Sequence, residues 1–280
     1  MNNLDFLNEC SKALKKVKDT NPLVHHITNY VTVNDCANIT LCIGASPVMA
    51  DSIKEVCDMV SISSSLVINV GTLNERVVES MILAGKEANK KGIPVVLDPV
   101  GFSATPYRKE VVKNLLDEVH FDVIKGNSSE VLGIVGLSDS MKGVDSIDLD
   151  ESEFMKNVAN PLIDYSIREN TVLAVTGKVD IIIHKDKIIK IYNGHSQLKK
   201  ITGTGCMTAS LIGSYLGAGN SKEISAAAGI LTMGISGEEA YNNLTCKDAL
   251  GQFKVNLFDE IACFTENIFQ EKCKIDIINI

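Results

Sequence analysis

Gly203-Thr204-Gly205-Cys206 places two glycines and a thiol just ahead of a run of small residues, Met207-Thr208-Ala209-Ser210. Glycines before a helix let backbone N–H groups converge on an anion at the helix N-terminus, where the helix dipole also favours negative charge. A transferring phosphoryl group develops charge on its oxygens, and such a nest stabilises that charge without moving. Glycines that only let a helix start pack closely on a strand leave the same pattern, so the run alone keeps both readings open. Cys206 falls in the first turn of the helix, where the dipole lowers a thiol's pKa. It is a candidate general base toward a substrate hydroxyl, or a residue that shapes the pocket.

Two further runs carry oxygen donors. Val95-Val96-Leu97-Asp98-Pro99-Val100-Gly101 reads as a buried strand that ends on a carboxylate. The carboxyl edge of a parallel sheet is where ligands bind in open α/β folds. Val123-Ile124-Lys125-Gly126-Asn127-Ser128-Ser129-Glu130 supplies a cation, a glycine and a second carboxylate at another strand edge. Asp98 and Glu130 are hard donors suited to Mg²⁺, directly or through its waters. Lys125 has the charge to neutralise phosphate. Singly, Asp98 reads equally as a turn residue and Glu130 as an exposed helix acid; their placement after successive strands favours convergence. Val175-Thr176-Gly177-Lys178 follows a strand, so Thr176 is a candidate phosphate contact. Toward the N-terminus, Asn29 ends a strand with a directional amide, and Met49 offers a polarisable wall for a flat ring. His25 and His26 are adjacent on a strand and so face opposite ways, which favours structural roles over a shared metal. His195 lies near the glycine-rich centre without a visible partner.

These residues need a scaffold. Short apolar runs at 23–27, 66–70, 94–97, 122–124 and 171–175 read as buried strands. Helical patterns at 31–42, 74–91, 106–118 and 128–135 alternate with them, and Gly92 after Lys90-Lys91 marks a helix stop. Strand–helix alternation predicts a mostly parallel sheet with helices on both faces. Residues 179–184 and 188–192, joined through Asp186, predict a hairpin added antiparallel at the sheet edge. After the glycine-rich centre the spacing predicts helices over 204–216, 222–241 and 250–271. Residues 136–152, rich in Asp, Ser and Gly, read as a loop. With no repeat and no sharp composition shift, one domain over 1–280 is expected.

Composition narrows the function classes. The net charge of −8 disfavours a broad nucleic-acid footprint, which needs clustered Lys and Arg. The eight cysteines form no Cys-x-x-Cys pair, which argues against a disulfide framework or a zinc site and for a reducing compartment. Residues 1–6 lack the basic start and apolar run of a signal peptide, and no apolar stretch is long enough to span a bilayer. A cytoplasmic protein with neither nucleic-acid nor membrane partners is expected.

Seven motifs, in order, resemble the hydroxyethylthiazole kinase family of the ribokinase-like superfamily. They are His-Ile-Thr-Asn-Tyr-Val at 26–31, Gly-Ala-Ser-Pro-Val-Met at 44–49, Ile-Asn-Val-Gly-Thr-Leu at 68–73, Leu-Asp-Pro-Val-Gly at 97–101, Lys-Gly-Asn-Ser-Ser-Glu at 125–130, Val-Thr-Gly-Lys-Val-Asp at 175–180 and Gly-Thr-Gly-Cys-Met at 203–207. The resemblance implies transfer of the ATP γ-phosphoryl to the primary hydroxyl of 4-methyl-5-(2-hydroxyethyl)thiazole, with Mg²⁺, in a homotrimer whose thiazole sites lie at subunit boundaries. It implies ATP contacts at Lys125, Thr176 and Gly205, and substrate contacts at Met49, Gly203, Asn29 and Val31. Asp98 and Glu130 become the metal acids. Cys206 takes the place where related sugar kinases carry a catalytic Asp, and cysteine there marks the thiazole branch.

The family commonly has Arg where this chain has Lys125; lysine keeps the charge and loses the bidentate fork. Another ribokinase-like kinase of a pyrimidine or pyridine alcohol is the near alternative, against which Met49 and Cys206 argue. A nicotinamide-nucleotide hydrate dehydratase, a lyase of related fold, would need an Asp at position 206. A non-catalytic binding protein would leave Asp98 and Glu130 unexplained.

Overall fold

Four- and five-residue apolar runs form the strands of the computed structural model, which describes residues 2–137 and 155–280. The parallel strands are β1 (Leu23–Ile27), β2 (Ser46–Met49), β3 (Ser65–Asn69), β4 (Val95–Asp98), β5 (Val123–Asn127) and β6 (Val172–Thr176). Antiparallel β7 (Asp180–His184), β8 (Lys187–Ile191) and β9 (Ile275–Asn279) extend one edge, giving the order β2-β1-β3-β4-β5-β6-β7-β8-β9. Runs such as Ser-Leu-Val-Ile-Asn in β3 are buried at every position because helices cover both faces, so no polar alternation appears. The β7–β8 hairpin closes through Lys185 in the left-handed region at φ 55°.

On one face lie α1 (Asn3–Thr20), α2 (Val33–Cys42), α8 (Thr204–Gly217), α9 (Lys222–Asn242), α10 (Leu250–Ala262) and α11 (Ile268–Lys272). On the other lie α3 (Val56–Ser61), α4 (Glu75–Lys91), α5 (Pro106–Glu118), α6 (Ser128–Val135) and α7 (Asn160–Glu169). Alternate strand residues feed the two cores: Val24, Val67, Val96, Val123 and Val172 face the first, and Ile27, Leu66, Ile68, Leu97, Ile124 and Leu173 the second. α8 and most of α9 are buried all round, as a helix with apolar and small residues on every side must be. A methyl on Gly213 would meet Val67 Cγ2 at 2.5 Å, so this glycine lets α8 lie directly on the sheet.

Helix ends follow local chemistry. Gly92 stops α4 in the left-handed conformation at φ 69°, as its position predicts. Asn127 and Glu130 form a reciprocal capping box at the start of α6. Several elements differ from the sequence reading. The helix expected over 250–271 is two helices, broken between Ala262 and Ile268. The elements α1, α3, α7, β2 and β9 emerge where no element was expected. β2 contains Pro47, and a lone edge strand tolerates the missing donor. Most of the loop expected over 136–152 falls outside the described residues. Among the described residues no helix is long and apolar enough to cross a membrane.

Candidate active site

The chain leaves β1 toward β2 on one side and runs from β3 toward β4 on the other, so the strand order reverses between β1 and β3. Open α/β sheets bind ligands in the crevice that such a reversal leaves at the carboxyl edge. Two amides meet there: Asn29, two residues past β1, donates through Nδ2 to Oδ1 of Asn69, the last residue of β3, at 2.9 Å. Each also points an N–H at Cys206 Sγ, Asn29 at 3.3 Å and Asn69 at 3.2 Å. Asn69 Nδ2 further donates to Asp98 Oδ2 at 2.7 Å, and register pairing sets Asn69 beside Asp98. Asn29 Oδ1 accepts from both N–H and Oγ1 of Thr32, and Asn69 Oδ1 from Gly71 N–H. Both buried amides are thereby satisfied at each end, which locks their orientation.

The glycines around this network are required by space. A methyl on Gly203, which sits at φ 92°, would meet Thr32 Cγ2 at 2.5 Å. One on Gly71 would meet Asn29 and Asn69 side-chain atoms at 2.9 Å, and one on Gly205 would meet Lys125 Nζ at 3.1 Å. The first backbone bond of α8 runs from Met207 N–H to Gly203 O, so the N–H groups of Thr204, Gly205 and Cys206 have no backbone partner among the described residues. These three N–H groups stand at the start of α8 beside Lys125, the arrangement that an anion nest would use.

Lys125 is buried with its ammonium 3.5 Å from Asp98 Oδ1 and donating to Gly205 O at 3.0 Å. Burial raises the Asp98 carboxyl above the usual carboxylate range, while Lys125 draws it down. Burial is the largest influence on Lys125 and opposes its charge, and Asp98, Cys206 and Glu130 together outweigh it and hold the ammonium above its ordinary value. Burial, and next the Asp98 carboxylate, push the Cys206 thiol up. The first-turn position had implied a lowered thiol pKa; desolvation and a buried anion nearby overcome the helix dipole. Glu130 holds Gly101 N–H on Oε1 and Asn127 N–H on Oε2, both at 2.8 Å, so it ties the turn after β4 to the start of α6.

Beside the nest opens a cavity of ≈ 750 Å³. Thr204, Gly205, Thr176, Gly177, Ile230, Met233 and His195 are among the residues that line it. Asp180 lies in its wall, accepts Gly177 N–H at 2.8 Å, and is pushed up to about 6 by burial.

The structure therefore joins Asn29, Asp98, Lys125, Gly205 and Cys206 in one hydrogen-bonded group, with Gly203 against Thr32 at its side. Thr176 stands on the cavity wall, whereas Lys125 lies behind Gly205. Met49 ends β2 half-buried, in register with His26, and Val31, between Asn29 and the start of α2, is 59% exposed. His25 and His26 are buried, bonded to Ala50 O and Val24 O, and burial pushes His26 down to about 3. Sequence reasoning missed Asn69, Thr32 and Arg108. Asn69 sat in view at the end of an apolar run, as Asp98 did. Arg108 donates to Val70 O, Gly71 O and Val100 O and so fixes two of the loops at this edge; a lone arginine inside a helix carries no signal for that.

The hydroxyethylthiazole kinase family model matches residues 14–267 of the chain. A curated relative named hydroxyethylthiazole kinase, from Alkaliphilus oremlandii (strain OhILAs), is 48% identical over 275 residues, covering 98% of this chain and 100% of the relative. The solved hydroxyethylthiazole kinase from Pyrococcus horikoshii OT3 superposes with a TM-score of 0.84 at 35% identity, covering 96% of this chain and 99% of that one. A pyridoxal kinase from Staphylococcus aureus, solved with AMP-PCP and pyridoxal, shares the ribokinase-like fold with a TM-score of 0.57 at 14% identity, covering 92% of this chain and 99% of that one.

Proposed function

Because this chain belongs to the hydroxyethylthiazole kinase family, we propose that it transfers the γ-phosphoryl of ATP to the primary hydroxyl of 4-methyl-5-(2-hydroxyethyl)thiazole, giving the phosphate used to make thiamine phosphate. The observation that carries the reading is the convergence of Asn29, Asn69, Asp98 and Lys125 on Cys206 at the N-terminus of α8, beside a nucleotide-sized cavity.

ATP lies in that cavity, its phosphates at Thr176 and Gly205 and its γ-phosphoryl over the nest of Thr204, Gly205 and Cys206. Lys125 supports the nest from behind through Gly205 O, and its charge reaches the phosphates across that glycine. The thiazole occupies the β1–β2 side, against Asn29, Val31, Met49 and Gly203. Most of the barrier reduction in phosphoryl transfer comes from positioning and from stabilising equatorial charge, which a pre-formed nest supplies. Proton removal is a late event, so the small thiolate fraction that a raised pKa leaves is enough to accept it. The Cys206 thiolate, its negative sulfur stabilised by the two amide N–H groups, takes the hydroxyl proton as the new O–P bond forms and the O–P bond to departing ADP breaks. Asp98 and Glu130 would hold Mg²⁺, which neutralises phosphate charge when bound. The fit is supported by Asp98 Oδ1, which is buried 3.5 Å from the Lys125 ammonium without a hydrogen-bond partner among the described residues; Glu130, whose oxygens already hold Gly101 and Asn127 N–H, would reach the ion through its waters.

The family resemblance carries the homotrimer, and the exposed Tyr30 and Val31 leave apolar surface that a neighbouring subunit would cover. The chain acts as one domain, in the cytoplasm, with no nucleic-acid or membrane partner.

A coupled ADP assay with the hydroxyethylthiazole as acceptor tests the reading. ADP release that requires both the thiazole and Mg²⁺ supports it, and a clear preference for a pyridine or pyrimidine alcohol overturns it. Asp98→Ala and Glu130→Ala should each raise the Mg²⁺ requirement; unaltered metal dependence in both removes them from the metal site.

A further inference from the structure

The cavity beside the nest is lined by Thr176, Gly177, Thr204 and Gly205, and Ile230 and Met233 of α9 add apolar surface to its wall. A nucleotide whose phosphates sit at the nest must place its nucleoside against the rest of this wall. His195 stands on that wall and is held in two ways. Its ring stacks on Tyr241 with centroids 3.8 Å apart and planes inclined by 21°, and the Lys247 ammonium lies 4.6 Å from the centroid of the same tyrosine. Its Nδ1 accepts Gln197 N–H at 3.1 Å, which puts the ring proton on Nε2. The backbone just before it is fixed as well: α9 touches Asn193 so closely that a methyl on Gly234 would meet Asn193 O at 2.8 Å. A donor with one tautomer and one orientation, on the wall of a nucleotide-sized cavity, is a recognition device.

We propose that His195 recognises the nucleoside of the phosphate donor, donating Nε2–H to an acceptor on the base or ribose, with Tyr241 as its backing plate. This rests on the reading that the donor nucleotide fills the cavity. Neither the phosphoryl-transfer group around Cys206 nor the thiazole side involves His195, so its loss should be felt in nucleotide binding alone.

The test measures ADP binding by calorimetry and, in steady state, KM for ATP, kcat, KM for the thiazole, and inhibition by inorganic tripolyphosphate against ATP. One neutral hydrogen bond predicts roughly a tenfold weaker ADP Kd and a similar rise in KM for ATP in His195→Ala. Its kcat, thiazole KM and tripolyphosphate inhibition should stay within about twofold of wild type by the same arithmetic. His195→Phe keeps an aromatic ring on Tyr241 without the donor and should lose nearly as much ADP affinity. Tyr241→Leu removes the backing and should give the same selective loss. If His195→Ala fails to fold, the other two variants decide. Wild-type ADP affinity in His195→Phe overturns the proposal, because the ring face would then be sufficient. Equal loss of ADP and tripolyphosphate also overturns it, placing His195 at the phosphate end or in the fold. Wild-type protein that binds no ADP overturns the nucleotide reading and this assignment with it. Tight wild-type ADP binding with unchanged variants overturns this assignment only.

Discussion

Replacing Lys125 with Met isolates the strongest buried electrostatic interaction in the site. The ammonium sits 3.5 Å from Asp98 Oδ1, and both side chains are almost wholly inaccessible to solvent. At an effective dielectric of about 20 their attraction is about 5 kcal/mol. Breaking a buried pair by removing one partner costs about 3–5 kcal/mol, because the other is left as an uncompensated charge. Methionine keeps most of the side-chain volume, so the cavity contribution is small. Asp98 has an escape, which is to take up a proton. Its carboxyl is already raised by burial, and Lys125 is the first influence holding it down, so the variant carries a carboxyl raised further still. A group whose folded pKa exceeds its unfolded value is stabilising below the unfolded value, and that contribution is lost as pH rises through the folded one. The deficit of Lys125→Met should therefore be about 3–5 kcal/mol at pH 8 and clearly smaller at pH 5. Urea unfolding followed by circular dichroism at both pH values, at fixed protomer concentration, measures it. The double variant Lys125→Met with Asp98→Asn should recover most of the loss, giving a coupling energy of several kcal/mol. A deficit under about 1 kcal/mol at pH 8, a deficit that does not shrink at pH 5, or near-zero coupling would refute the electrostatic account. Each would mean that water already screens the pair.

Four other outcomes follow from the geometry. Burial and Asp98 raise the Cys206 thiol, so iodoacetamide at neutral pH should modify the exposed Cys246 and Cys263 before Cys206; peptide mass spectrometry gives the order, and Cys206 reacting first would contradict the raised thiol. Cys206→Ala should lower kcat and leave thiazole KM largely unchanged, whereas unchanged turnover would reduce Cys206 to a pocket wall. Gly203→Ala puts a methyl 2.5 Å from Thr32 Cγ2 at φ 92°, which should cost about 1–3 kcal/mol and appear as a Tm several degrees lower together with reduced kcat. Away from the site, the His184 hydrogen bond and then Lys187 hold Glu223 at about 2. Its folded pKa is depressed, so its contribution is present above the unfolded carboxylate value and lost as pH falls toward 2. Glu223→Gln should thus destabilise the protein by about 2–3 kcal/mol at pH 7 and progressively less below pH 4, as acid-dependent unfolding curves would show.

Much of the site was legible because parallel strands end abruptly. An apolar run that stops on Asp, as at Asp98, or is followed by Thr-Asn, as before Asn29, places a polar side chain at the carboxyl edge whatever the rest of the fold does. Asn69 ends β3 in the same way, and local sequence did not distinguish it from a strand terminus capped for its own sake. Its importance comes from facing Asn29 across the strand-order reversal, a relation between residues forty positions apart. Short edge elements escaped for a related reason: β2, with its proline, and β9 gain their strand conformation from pairing with a neighbour more than from their own residues.

The sequence by itself determined the class of fold and the chemistry at hand. Alternating apolar runs and helix patterns require a covered parallel sheet, and Gly-Thr-Gly-Cys before a small-residue helix allows an N-terminus open to an anion. Tertiary structure decided what the groups are at neutral pH and which of them meet. Burial beside Asp98 made Cys206 a thiol with a raised pKa, where its place in the helix pointed to a lowered one. Packing turned Lys125 inward to Asp98 and Gly205 O and away from the cavity wall. Desolvation and long-range charge act through distances that the order of residues does not contain, so those two outcomes belong to the fold alone.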